Sequence, residues 1–494
     1  MTVADLLGTG PGRTGFIERH ELWDEAQYAA AAQALRVIDE HGIELVRVAF
    51  PDSHGLLRGK TLTRDAFGAA LRDGTTAPST LVLKDTSGRT IYPVFDAAGS
   101  PAADMAGASD LVLVPLPTTF RILPWAPRTA WVLCDLQLPD GAPLPFSTRH
   151  ALRHQLDDLA RRGLELSVGL EVEFHVFRAE AGGVTQAMVG EPGRPGDAPR
   201  VSPLSSGYQL LSEAVTDSVD ELVQILRDGL VALDIGLRSI EVEFGPSQLE
   251  LTFAPQGALR AADDMVLCRS AVKQLCARRG YHATFMSRPS LPDLASSGWH
   301  LHQCLQDAET GENRFMAEPG SPRGLSELGY GYLAGLLAHA HAASVFTTPT
   351  INGYKRYRPL SLAPDRVLWG EDNKGAMVRA VGRAGDPATR LENRSGEPAA
   401  NPYLYIASQL VSGLDGVDRG LDPGAPTQRP YGDVADRLPT SLMEAVAALS
   451  VDAQFRDRLG SSFVDHIIAL KQAEIERYLS AVTDWEQREY FSLF

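Results

Sequence analysis

The chain has 494 residues, 44% of them hydrophobic and 22% charged, which describes a folded protein and excludes a disordered one. That length exceeds one ordinary core, so two or more domains are expected. With 62 acidic against 46 basic side chains, the formal net charge of −16 excludes broad, non-specific nucleic-acid binding.

Residues 1–20 read as a flexible arm. Glu21 to Glu40 is Ala- and Leu-rich and predicts a helix. Glu44 to Phe50 alternates like a strand, and Pro51-Asp-Ser-His-Gly55 turns the chain back. Leu81–Lys84, Leu111–Val114 and Ala130–Leu136 read as further strands. Pro139-Asp-Gly-Ala-Pro143 is a boundary linker, so the domains are expected at residues 21–142 and 143–494. In the second, Ser147 or Thr148 caps a helix stopped by Gly163. Helical apolar spacing recurs over Asp220–Leu233, Ala261–Arg279, Ser326–Phe346 and Phe463–Leu479, and Ser441 opens another helix. Gly182–Pro203 is Gly- and Pro-rich and reads as an exposed loop. Met1–Arg13 has no apolar core of a secretory signal, and no run of about 18 apolar residues offers a membrane span. Cys134, Cys268, Cys276 and Cys304 form no CxxC pair; they read as reduced, mostly buried thiols of a cytoplasmic protein.

Four segments carry the chemistry. They are Gly169-Leu-Glu171-Val-Glu173-Phe-His175, Glu241-Val-Glu243 leading to Glu250, Trp299-His300-Leu-His302, and Arg390-Leu-Glu392-Asn-Arg394. Polar groups recur at every second position, and Leu170, Val172, Phe174, Ile240, Val242, Leu301 and Leu391 fill alternate places. A strand would put the carboxylates, imidazoles and guanidiniums on one face. Taken singly, Glu-x-Glu is a solvated sheet face, His-x-His a structural pair, and Glu392 between arginines a surface ion-pair cluster. Together they imply a face whose carboxylates repel one another by about 4 kcal/mol per pair at 4 Å and an effective dielectric of 20. A divalent metal is the natural remedy.

The order and spacing of these segments resemble the glutamine synthetase superfamily. The resemblance runs from about Glu44 to the C-terminus. It includes Glu243-Phe-Gly-Pro-Ser-Gln-Leu-Glu250, Ala283–Pro289, Ser297-Gly-Trp-His-Leu-His302, Asn352-Gly-Tyr-Lys-Arg356, Asn373-Lys-Gly-Ala-Met-Val-Arg379 and Arg390–Arg394 followed by Pro398–Tyr403. It implies an α+β fold: an N-terminal β-grasp domain, then a catalytic domain with a curved antiparallel sheet flanked by helices. It implies homo-oligomers, a hexameric ring or a dodecamer, with sites between subunits, and Asp85 and Asp110 lie where the family offers aspartates to a neighbour's amine site. The small-molecule partners implied are ATP, glutamate and an amine. Two or more Mg²⁺ (or Mn²⁺) per site are implied. Glu173, Glu243 and Glu250 would hold the metal nearer the acid, and Glu171, His300 and Glu392 the one that bridges phosphates. Arg379, Arg390 and Lys374 would offset phosphoryl charge, His302 would sit near the nucleotide, and Arg356 and Arg394 would grip the acid.

Three departures set the expected substrate. The family's flap glutamate falls at Leu362. An arginine is replaced by Lys374. The Asn-Gly-Ser-Gly-Met-His loop that seats the amino-acid end of glutamate becomes Ala295-Ser296-Ser-Gly-Trp299-His300. An apolar entrance without a carboxylate favours an organic amine over ammonium. The chain is therefore similar to the superfamily's γ-glutamyl-amine ligases, as is its Asp484–Phe491 run. The alternatives are a true glutamine synthetase, a non-catalytic relative, or an acid other than glutamate. Tyr431 lies near a segment that some glutamine synthetases adenylylate, in a poorly matching context.

Overall fold

Alternating apolar positions build two sheets in the computed structural model, which describes residues 14–96, 103–180, 182–291, 293–358 and 361–494. The first holds β1 (Leu45–Pro51), β2 (Leu57–Thr63), β3 (Thr75–Pro78), β4 (Asp110–Pro115), β5 (Arg121–Ile122) and β6 (Thr129–Gln137). Its order is β2-β1-β6-β4-β3, with β5 also on β6; β1 and β6 run parallel and the other pairs antiparallel. The helix Arg64–Asp73 buries Phe67 and Leu71 in the same core.

Several expectations are corrected here. Residues 1–13 of the expected arm lie outside the described residues. Its remainder folds, because Phe16 and Ile17 of the helix Phe16–Arg19 are apolar enough to be buried. The next helix starts at Glu25, not Glu21, since the Asp24 side chain caps it by accepting from the Gln27 N–H. The strand expected over Leu81–Lys84 is a 3₁₀ turn, Ser79–Val82, followed by a single bridge from Lys84 to Thr90. The helix expected over Ser326–Phe346 is two, Glu327–Ala338 and Ala340–Thr347. They part at His339, whose backbone leaves helical geometry and whose ring is clamped by Asp415 and Asp452, each at 2.8 Å. The Gly182–Pro203 loop is largely exposed but ends in a strand.

The second sheet holds β7 (Leu164–Ala179), β8 (Val201–Pro203), β9 (Leu237–Val242), β10 (Gln248–Phe253), β11 (Gln256–Gly257), β12 (Tyr281–Thr284), β13 (Trp299–Asp307), β14 (Trp369–Glu371), β15 (Val378–Val381) and β16 (Arg390–Gly396). The long central β7 pairs with β13 and then β12 along one side and with β11, β10 and β8 along the other. Only β14 and β15 run parallel. Leu166, Val168, Leu170, Val172, Phe174 and Val176 bury one face of β7 in the core shared with the helix Ala258–Ala277. Behind it, Pro402–Asp418 packs on Glu327–Ala338 so closely that a Cβ on Gly335 would lie 2.0 Å from the Ser412 carbonyl.

Buried arginines join the first sheet and its turn to the helices that back the second. Arg149 donates to both oxygens of Asp263 at 2.9 Å and to Asp135 of β6 at 2.9 Å. Arg269 donates to the carbonyls of Gly55, Pro398 and Ala400.

Candidate active site

Residues directly opposite on antiparallel strands share a face. The register runs Arg379↔Glu392, Glu392↔His302, His300↔Glu171, Glu173↔Glu250 and Glu250↔Glu241, so one polar row crosses six strands. Apolar neighbours Leu170, Val172, Phe174, Leu301 and Leu391 lie buried on the other face. A register shift opposite His300 brings Arg394 into the row, where it pairs with Glu392.

The row is tightly bonded at one end. Glu171 receives bonds from His300 Nδ1 at 3.1 Å and His302 Nε2 at 2.9 Å. Burial pushes its carboxyl up, but these two imidazoles outweigh that and hold it well below the usual range. Arg390 Nε donates to His302 Nδ1 at 3.1 Å, so His302 is the tautomer that keeps its proton on Nε2 and donates it to Glu171. Burial, then Arg394, lowers His300 and keeps it neutral, with Nδ1–H spent on Glu171 and Nε2 left 3.9 Å from Glu173. An imidazole oriented this way is a ready metal ligand. Glu392 is fully buried; burial opposes its ionisation, and Arg394 outweighs it. Arg379 donates to Glu392 at 2.9 Å and to Asp372.

The other end is short of cations. Glu173 accepts from Gln248 Nε2 and the Gly298 N–H, both at 2.9 Å. Burial and then Glu243 push it up to about 8. Glu250 accepts no hydrogen bond among the described residues, and burial and then Glu173 push it up to about 9. Glu243 stands where β9 has ended, its carboxylate bonded to the Phe244 N–H at 3.0 Å, and burial raises it too. Two trios place ligand atoms within 4.8 Å of one another: Glu171, Glu250 and His300, and Glu171, His302 and Glu392. The oxygen and imidazole donors of both fit a hard divalent cation, and in the first Glu250 is a buried carboxylate with no cation of its own among the described residues. The grouping differs from the expected division: Glu171 belongs to both trios, His302 replaces His300 beside Glu392, and Glu173 and Glu243 belong to neither.

Arginines complete the floor. Arg356, buried, donates to the Ser395 and Gly396 carbonyls, and its Nη2 and Glu173 Oε1 converge on Gly298. The buried Nε of Arg394 has no partner. Ser296 accepts from Arg288 at 3.0 Å, and Lys374 stands exposed in the turn between β14 and β15.

The segment from residue 145 to residue 490 matches the model of the glutamine synthetase catalytic domain. The chain belongs to the glutamine synthetase family. It is 42% identical to a γ-glutamylanilide synthase of Acinetobacter sp, covering 97% of this chain and 99% of the relative. It is 31% identical to the glutamine synthetase of Thermotoga maritima, covering 93% and 98%. The solved structure of apo GmaS superposes with a TM-score of 0.76 at 27% identity, over 92% of this chain and 99% of that one. The chain thus has the α+β fold of a glutamine synthetase, and it is a ligase of that family.

Other expected residues of this glutamine synthetase relative stand apart from the row. Asp85 is buried and committed to its own turn, accepting from Ser87 and Arg89, and to Arg477. Asp110 is exposed at the head of β4. Leu362 is 69% exposed; its flap neighbours 359 and 360 lie outside the described residues. Tyr431 donates to the flap carbonyl of Ser361. Sequence reasoning missed the roles of Gln248 and Gly298 as donors to Glu173, and of Asp372 as a brace for Arg379. Gln248 lay inside a quoted motif; Asp372 carried no local signal. The described residues include no helix long and apolar enough to cross a membrane, and Cys134, Cys268 and Cys276 are buried.

Proposed function

We propose that this chain activates the γ-carboxylate of glutamate with ATP and joins it to an organic amine, giving a γ-glutamylamide, in the cytoplasm. One observation carries the reading. The whole carboxylate and arginine row is assembled, while the flap position that bears a glutamate in glutamine synthetases bears Leu362. The higher identity to a γ-glutamylanilide synthase than to a glutamine synthetase supports it.

Arg356 and Arg394 grip the acid, the unpaired Nε of Arg394 being a free donor for a carboxylate. Glu173, Glu243 and Glu250 would hold one Mg²⁺ or Mn²⁺, and Glu171, His300 and Glu392 a second. These ions, when bound, supply charge neutralisation at the transferring phosphoryl group. Arg379, Arg390 and Lys374 stabilise the same charge, and His302, fixed by Arg390, lines the nucleotide side. A γ-carboxylate oxygen attacks the γ-phosphorus, the bond to ADP breaks, and an acyl phosphate forms. The amine nitrogen then bonds the acyl carbon, the C–O bond to phosphate breaks, inorganic phosphate leaves, and a proton passes to solvent. Ala295 and Ser296 shape the end where the amino acid sits. The subunits form a closed ring, a hexamer or a dodecamer. Asp110, exposed, reaches a neighbour's amine site, a role for which Asp85 has no carboxylate to spare.

Phosphate release from ATP and glutamate across a panel of amines, ammonia included, tests the reading. At least one primary organic amine is expected to exceed ammonia clearly in kcat/KM. Ammonia used as efficiently as the best organic amine would make the protein a true glutamine synthetase.

A further inference from the structure

The helix Ser461–Leu479 carries Ile467, Leu470, Lys471 and Ile475 at the spacing of one buried stripe, and all four are buried. A lysine is out of place there. Lys471 is only 6% exposed, yet its ammonium makes no hydrogen bond among the described residues. Its ion-pair partner Glu474 stands at 3.7 Å, beyond hydrogen-bond reach, and Glu474 Oε2 has no donor of its own. A buried ammonium left in this state is costly. Lys471 lines a cavity of about 150 Å³ between the turn joining β1 to β2 and the helices Ala340–Thr347, Pro402–Asp418 and Ser461–Leu479. Val345, Phe346, Leu404 and Ile467 give it apolar walls, and no residue of the carboxylate row lines it. Some polar groups at its wall are already spent. Ser53 gives its hydroxyl proton to the Val82 carbonyl at 2.8 Å, Thr350 gives its own to Glu397 at 2.9 Å, and His54 gives its Nε2–H to the Lys84 carbonyl at 2.9 Å. Others have protons to give. The Thr86 hydroxyl accepts from Arg477 at 3.1 Å and so keeps its proton free. Asn401 uses one side-chain N–H on the Ser53 carbonyl at 3.3 Å and has a second to offer.

We infer that this cavity is a binding site for a small carboxylate, separate from the site of the reaction. The anion sits on the Lys471 ammonium, with Thr86 and Asn401 as further donors, and a hydrocarbon body fills the apolar part. The volume sets the size of that body, since an apolar cavity of about 150 Å³ holds a benzene ring. Inorganic phosphate has no body to fill it. The wall is also joined to the acid end of the row. Thr350 gives its N–H, at 2.7 Å, and its hydroxyl to the fully buried Glu397, and the Gly353 N–H donates to Thr350 Oγ1 at 3.0 Å. The short segment so held ends in Arg356. A ligand packed against Thr350 therefore pre-orders Arg356 and favours the acid. That consequence, unlike the site itself, rests on the reading of Arg356 as the grip on glutamate.

Benzoate is the probe and benzamide its neutral match. Titration calorimetry on the purified full-length protein needs no turnover, so it decides the site whether or not the chain is an amine ligase. Benzoate should bind saturably, as tightly or more tightly with glutamate present, and benzamide at least about tenfold more weakly. Lys471→Met, which keeps the stem and removes the charge, should weaken benzoate at least about tenfold, whereas Lys471→Arg should retain it. Ile467→Phe, which fills the cavity, should abolish binding; thermal unfolding checks that each variant is folded. Equal affinity in wild type and Lys471→Met overturns the site, as does the absence of saturable binding at about 10 mM benzoate. Binding that glutamate displaces also overturns it, because benzoate then occupies Arg356 and Arg394. In phosphate release, saturating benzoate should lower the KM for glutamate about fivefold and leave the KM for ATP unchanged. An unchanged KM for glutamate overturns the link to Arg356 alone.

Discussion

Buried charge is handled in opposite ways in two regions of this molecule. In the scaffold, every buried carboxylate of the Arg149 cluster and the His339 clamp has a cation. Arg149 is forked onto Asp263 and bonded to Asp135, which Arg153 also contacts. His339 sits between Asp415 and Asp452. In the sheet row, buried Glu250 and half-buried Glu173 and Glu243 stand together with too few cations, and desolvation raises all three. Matched charge joins elements; unmatched charge waits for a ligand. A chain does not keep costly carboxylates unpaired for stability.

The largest effect that should separate the two regions comes from Glu173→Ala. Ligation, followed as phosphate release, should fall below detection, while thermal unfolding of the metal-free protein shows no loss of stability, because an under-compensated buried carboxylate has been removed. Wild-type turnover at ordinary Mg²⁺ would end its assignment as a ligand. The converse case is Arg149→Ala, which leaves Asp263 without its cation and Asp135 with Arg153 alone. Denaturant unfolding should register a loss of about 3–5 kcal/mol, whereas turnover per folded molecule stays close to wild type. If turnover collapsed instead, the distinction between scaffold and site charge would fail.

A smaller effect belongs to the flap. Leu362→Glu restores a carboxylate at the entrance and should narrow the gap between organic amines and ammonia; a gap of roughly 10- to 200-fold corresponds to a difference of about 1–3 kcal/mol. Competition between ammonia and the best amine measures it, and an unaltered ratio would remove Leu362 from the amine site. Lys374 and Ala295 also differ from the family pattern, so full ammonia activity is not expected from one change.

The smallest effect lies in the scaffold and depends on pH. Burial alone would lower His339, but its bonds to Asp452 and Asp415 outweigh that and raise it above the ordinary value. The folded state therefore holds this proton more tightly than the unfolded chain. Its contribution to stability is complete below the unfolded histidine value near 6.5 and is lost as pH rises through the folded value. Unfolding free energies between pH 5 and 9 should fall over that window by about 1 kcal/mol more in wild type than in His339→Gln. Parallel curves would mean that the clamp is not charged.

The strand period made most of the sheet row legible. Glu171 and Glu173 share a face because side chains alternate, and the same rule places His300 with His302 and Glu392 with Arg394. Caps were equally local: Ser147, Ser326 and Ser441 each accept from an N–H three residues on. Other elements were hidden because their signals were weak or non-local. β2 reads Leu-Arg-Gly-Lys-Thr-Leu-Thr and is largely exposed, so it lacks the apolar alternation that marks a strand. Leu81–Lys84 is apolar enough for a strand but turns instead.

Local chemistry, then, determined which residues share the polar face: alternation, spacing and turn residues act within a few positions along the chain, and a strand obeys them wherever it lies. Tertiary structure alone decided what each of those residues touches. The break at His339 needs Asp415 and Asp452, the sharing of Glu171 between two trios needs the β7–β13 register, and the cavity at Lys471 needs the β1–β2 turn to lie against helices from far along the chain. Those contacts come from the burial of the sheet's apolar face as a whole, and burial is a property of the assembled core that no short stretch of sequence contains.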